Sequence, residues 1–157
     1  MSIRTLLQSL ALLLMLLPVA AHSQALVPGT FKVVSFFLDV DGVATEPYGN
    51  TPRGVVVLTP ERFIGIVTAE NRKFGTSISD KAALWESMIS YSGRYEIDGE
   101  KLVISVDVSY NEFWNGTKIV RYWKVSGNRL TLISPPAPWS KDPSKTVSAR
   151  VTFERIE

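Results

Sequence analysis

In the second half of this chain apolar residues recur at every other position. Ile104, Val106 and Val108 alternate with Ser105, Asp107 and Ser109, and Val147, Ala149, Val151 and Phe153 alternate with Ser148, Arg150, Thr152 and Glu154. An extended chain points successive side chains to opposite faces, so a period of two calls for strands with one face in a core and the other in water. Asp98-Gly99, Asn115-Gly116 and Gly127-Asn128 punctuate these runs at hairpin spacing, which makes successive strands antiparallel neighbours.

The first half carries the same rhythm with more irregularity. After Pro28-Gly29, Phe31, Val33 and Phe37 fall on one side of an extended segment and Val34, Phe36 and Leu38 on the other. That strand is covered on both faces for part of its length, and Asp41-Gly42 is the turn that ends it. A polar connection, Thr45 to Gly54, leads to two β-branched runs, Val55 to Leu58 and Phe63 to Val67. The four residues Thr59-Pro60-Glu61-Arg62 between them have the length and composition of a hairpin loop. Thr68 to Ser79 reads as loop.

One segment departs from this pattern. Ala82, Leu84, Trp85, Met88, Ile89 and Tyr91 fall within one half of a helical wheel, opposite Glu86, Ser87 and Ser90. Ser79 or Asp80 is placed to cap such a helix, and Gly93 to end it.

The reading is therefore all-β: an up-and-down antiparallel meander of about eight strands with one short helix. A meander of short strands has two edges to protect, and closing it into a barrel removes both. A sandwich is the alternative. The chain has 157 residues, 45% of them hydrophobic, and no cysteine, so burial in a single domain must hold the fold.

Residues 1–23 read as a cleaved signal peptide. Arg4 gives the positive start, Leu6 to Val19 the apolar stretch, and Ala21-His22-Ser23 small residues at the two positions a signal peptidase reads. A membrane span needs about 20 apolar residues, and Pro18 ends this run early. The expected products are an exported, periplasmic or extracellular domain over residues 24–157, and no stable membrane anchor after cleavage.

Cleavage would remove His22, the only histidine. Cys-His and Ser-His-Asp catalysis and the usual zinc sites are then excluded, and no metal or cofactor is expected. Lys and Arg number 17 against 15 Asp and Glu, a balance too even for a nucleic-acid partner.

The ordered landmarks also resemble the bacterial and fungal lipocalin-like domain family, a calycin-type barrel. They are Gly29-Thr30-Phe31-Lys32-Val33-Val34-Ser35, Glu46-Pro47-Tyr48-Gly49 with Pro52 and Gly54, Tyr91-Ser92-Gly93-Arg94-Tyr95-Glu96-Ile97-Asp98, Trp114-Asn115-Gly116-Thr117, Arg121-Tyr122, Asn128-Arg129-Leu130-Thr131-Leu132 with Pro135-Pro136, and Phe153-Glu154-Arg155. The resemblance implies an opening strand that seals one barrel end, with Arg150 or Arg155 stacked on its aromatic residue. It implies no catalytic residue. Relatives often place His in the strand matched by Val103 to Asp107, where this chain has Ile104 and Ser105.

Paired carboxylates, Asp39 with Asp41 and Glu96 with Asp98 and Glu100, flank turn glycines, where Asp serves local backbone hydrogen bonding. The favoured function is capture of a small, largely apolar molecule inside the barrel, with Tyr48, Phe63, Trp85, Tyr91, Trp114 and Tyr122 lining or gating it. A cofactor-free isomerase or cyclase acting on a hydrophobic substrate in the same cavity is the competing reading. A filled barrel without a ligand is the third.

Overall fold

The computed structural model describes Leu26 and residues 28–157. The expected signal peptide and its cleavage site lie outside these residues.

Ten strands form one sheet: β1 (Gly29–Val40), β2 (Val43–Thr45), β3 (Arg53–Leu58), β4 (Arg62–Thr68), β5 (Met88–Asp98), β6 (Lys101–Ser109), β7 (Lys118–Ser126), β8 (Arg129–Ile133), β9 (Ala137–Trp139) and β10 (Asp142–Arg155). Eight of them close into a cylinder in the order β1-β3-β4-β5-β6-β7-β8-β10, and β10 returns to pair with β1. The short β2 and β9 continue the pairing beyond it, on β1 and β10 respectively. The barrel expected from the meander is therefore observed, and not a sandwich. Closure runs from Phe31 opposite Arg155 to Val40 opposite Val147, so the ladder of the longest strands does the work of a staple in a chain without cysteine.

A register shift between Val33 and Ser35 explains the double-faced opening strand. Phe31 and Val33 are buried at odd positions, and after the bulge it is Phe36 that is buried. One extra residue reverses the parity of everything beyond it.

The hairpin of β3 and β4 and those at Asp98-Gly99 and Gly127-Asn128 stand as expected. The helix does not. It spans Ile78–Glu86, capped by Ser77, whose hydroxyl accepts from the Asp80 amide while Asp80 returns the bond to the Ser77 amide. Met88, Ile89 and Tyr91 belong to β5, paired with Thr68, Val67 and Gly65 of β4. Gly93 is no helix terminator: it lies at a bulge in β5, where a Cβ would collide with the Ser105 carbonyl of β6. The helix, α1, buries none of its residues.

The core is the inside of the cylinder. Phe63, Leu102, Ile104, Leu130 and Val56 are essentially inaccessible to solvent, and among the described residues no polar or charged side chain is fully buried. Each such side chain contributes about 1.5–3 kcal/mol relative to exposure. The register places the tight turns after β3, β5 and β7 together with the start of β1 and the end of β10 at one end of the barrel. The long connections 41–52, 69–87 and 110–117 lie at the other. The turn end is sealed: the Arg155 guanidinium carbon lies 4.6 Å from the Phe31 ring centroid, and the Tyr95 hydroxyl donates to the Thr59 carbonyl at 2.8 Å. Arg150 stacks instead on Phe37, at 5.3 Å.

Candidate functional site

A cavity of about 50 Å³ lies inside the cylinder. Its walls are rings and aliphatics from most strands, among them Phe36 of β1, Phe63 of β4, Tyr91 of β5, Leu132 of β8 and Phe153 of β10. The inward parity of β4 is Phe63, Gly65 and Val67, all buried. Gly65 supplies the room, since a Cβ there would stand 2.9 Å from the Phe63 ring. Among the described residues no carboxylate lines the space. One charged side chain does, Arg121 of β7, whose guanidinium carbon lies 5.9 Å from the Tyr91 ring centroid.

Five rings run outward from this cavity in contact. Phe63 stacks on Tyr91 with centroids 5.0 Å apart, Tyr91 meets Trp114 edge-on at 5.7 Å, Trp114 meets Tyr110 edge-on at 5.5 Å, and Tyr110 meets Trp85 of α1 at 4.8 Å. Offset and edge-on ring pairs of this kind are each worth about 0.5–1.5 kcal/mol beyond their buried area. Trp114 is carried by a single 3-10 turn, Glu112–Trp114, which the Asn111 side chain caps by accepting from the Phe113 amide.

Of the six aromatic residues expected at the site, the structure places Phe63 and Tyr91 on the cavity wall itself. Trp114 and Trp85 continue the row to the surface, and Trp85 is half exposed there. Tyr48 stands one layer behind the wall, stacked on Phe36 at 4.5 Å with its ring nearly parallel. Burial, reinforced by the neighbouring Tyr110, pushes its phenol up to about 12, and nearby Arg72 offsets part of that. Burial likewise raises the phenols of Tyr110 and Tyr95.

Tyr122 is the exception. It sits on the outer face, 38% exposed, because the inward parity of β7 belongs to Ile119, Arg121, Trp123 and Val125. A one-residue choice of parity decides between the two faces. Arg121 and Gly65 were not among the expected residues. The signal for Arg121 was present, as a charge at a position whose same-face neighbours are Ile119, Trp123 and Val125. Of the acidic residues at the turns, Asp39 accepts from the Gly42 amide of its own turn and Asp41 from the Thr146 amide of β10, each at 2.9 Å.

The fold and site together define an antiparallel eight-stranded barrel, closed on itself, with an apolar interior and one sealed end. The chain belongs to the lipocalin-like domain family, whose family model matches residues 28–156. It matches no curated protein and no solved structure. A barrel of this family is compatible with binding small hydrophobic molecules.

Proposed function

We propose that the chain is an exported, periplasmic or extracellular protein that holds a small, largely apolar molecule inside its barrel. The observation that carries this reading is the apolar cavity at the inner end of the ring row from Phe63 to Trp85. The export half rests on the leader-like pattern of residues 1–23.

The size of the cavity limits the guest. An enclosed apolar space of about 150 Å³ admits benzene, and the 50 Å³ here is smaller. A guest of more than a few carbon atoms therefore requires the wall of the cavity to give. Apolar burial then supplies affinity at roughly 25 cal/mol per Å², less the costs of association.

Native mass spectrometry of the protein purified from its own host tests the reading, together with fractionation of that host. The expected result is a co-purified small molecule and recovery outside the cytoplasm. Intrinsic tryptophan fluorescence is the second probe, because Trp114 touches the cavity wall through Tyr91. A spectrum unmoved by titration with aliphatic alcohols and acids, and no bound mass, would leave a filled structural barrel in place of a ligand holder.

A further inference from the structure

The inner face of β7 reads Ile119, Arg121, Trp123 and Val125, and Arg121 lies opposite the fully buried Leu102 in the ladder. Its side chain therefore begins on the core side of the sheet and borders the cavity. One of its guanidinium nitrogens, Nη1, donates to the Val120 carbonyl at 2.9 Å. Among the described residues no carboxylate forms an ion pair with it. A guanidinium has five N–H donors, and the hydrogen bond to Val120 leaves most of them for a guest or for solvent.

A second donor lies on the same strand face, outside the cavity lining. The indole N–H of Trp123 is buried and has no acceptor among the described residues. The polar side chains of this inner strand face are thus donors, and among the described residues no acidic side chain is buried to receive them. A partly desolvated cation without a counter-charge is costly, and a guest bringing acceptors and one negative charge removes that cost.

We propose that Arg121 makes the cavity selective for a slender monocarboxylate, its head on the guanidinium and its alkyl end among the rings of Tyr91, Phe63 and Phe36. This rests on the reading of the barrel as a ligand holder. The planar fork of Arg matches a carboxylate in two parallel hydrogen bonds. A phosphate monoester carries about −1.5 to −2 charges at neutral pH, more than one cation balances. The narrow space fits a straight alkyl end better than a fused ring.

Isothermal titration calorimetry with hexanoate, hexan-1-ol and hexyl phosphate separates the possibilities. The wild-type protein is expected to bind hexanoate at least about tenfold more tightly than either other probe, the difference a charge-assisted bidentate pair supplies. Arg121→Gln should abolish that preference, hexanoate losing at least about tenfold relative to hexan-1-ol. Arg121→Lys, which keeps the charge and loses the fork, should weaken hexanoate by about threefold or more. Equal binding of acid and alcohol by the wild type, or hexanoate binding unchanged in both variants, overturns the carboxylate proposal and leaves the ligand-holding reading standing. Binding of none of the three overturns both. Hexyl phosphate bound more tightly than hexanoate overturns the choice of a carboxylate head. The wild-type comparison decides on its own if neither variant gives a cooperative thermal melt.

Discussion

Arg155, at the end of the last barrel strand, holds its guanidinium 4.6 Å from the ring centroid of Phe31 in the first, and donates through Nη1 to the carbonyls of Pro28 and Glu157, each at 3.0 Å. The two residues face each other across the closing ladder. A single side chain thus caps the bottom of the core and ties down the backbone just before β1 and just after β10.

Arg155→Ala is expected to lower stability by about 1–2 kcal/mol, the sum of a partly desolvated cation–π contact and charged hydrogen bonds to carbonyls. Phe31→Ala, which empties a buried ring position, should cost about 3–5 kcal/mol. Urea denaturation of both single variants and the double variant checks this. A double-mutant coupling near zero would mean that the stacking contributes nothing to closure.

Most of the fold was legible because period-two alternation and turn pairs are local signals, and the residues from Tyr95 to Phe153 carry both. The helix boundary was not. Met88, Ile89 and Tyr91 satisfy a helical face and a strand equally over so short a run, and what settles the matter is the pairing of Tyr91 with Gly65 across β4, which no local pattern encodes. The site was half legible for a related reason. Aromatic residues mark a lining, but Tyr122 and Arg121 are adjacent, and placing the charged one inside contradicts the usual ordering of burial. Gly65 carried no signal at all, since its role is the space left by a missing side chain.

That space makes Gly65 the simplest handle on the cavity. In Gly65→Ala the new methyl would meet the Phe63 ring at 2.9 Å, with Val56 a further 0.6 Å away at 3.5 Å. The ring has to move, and overpacking of this kind costs about 1–3 kcal/mol, offset in part by the better strand propensity of Ala. The expected outcome is a folded protein with a small stability loss and a weakened response to hexanoate in calorimetry. Unchanged binding would place the guest elsewhere than beside Phe63.

The helix is expected to behave as a separate, weaker unit. Its nine residues bury nothing, and it is held by the Trp85–Tyr110 ring contact and by Arg72, which donates to the Leu84 carbonyl at 2.8 Å. Ser77→Ala removes the acceptor for the Asp80 amide and should cost the helix about 1 kcal/mol. Hydrogen exchange should quicken over residues 78–86 while the barrel strands keep their protection and the melting temperature barely moves. Equal loosening of β5 and β6 would show that the helix is part of the barrel's cooperative unit.

Tyr48 sets an alkaline limit on stability. Its phenol titrates near 12 in the folded protein against 10.0 for an ordinary tyrosine, chiefly because burial against Phe36 disfavours the phenolate. A folded-state value above the unfolded one means that the native protein keeps a proton the unfolded chain has lost. The associated stability is fully present below pH 10 and is lost progressively as pH rises from 10 to 12. Tyr48→Phe keeps the stacked ring and removes the proton, so its unfolding free energy should fall less steeply over that window than the wild type's. Urea titrations at intervals from pH 9 to 12 read the difference directly. Parallel curves for the two proteins would mean that the Tyr48 hydroxyl titrates in the folded state as it does in water, and that the stack on Phe36 leaves it open to solvent.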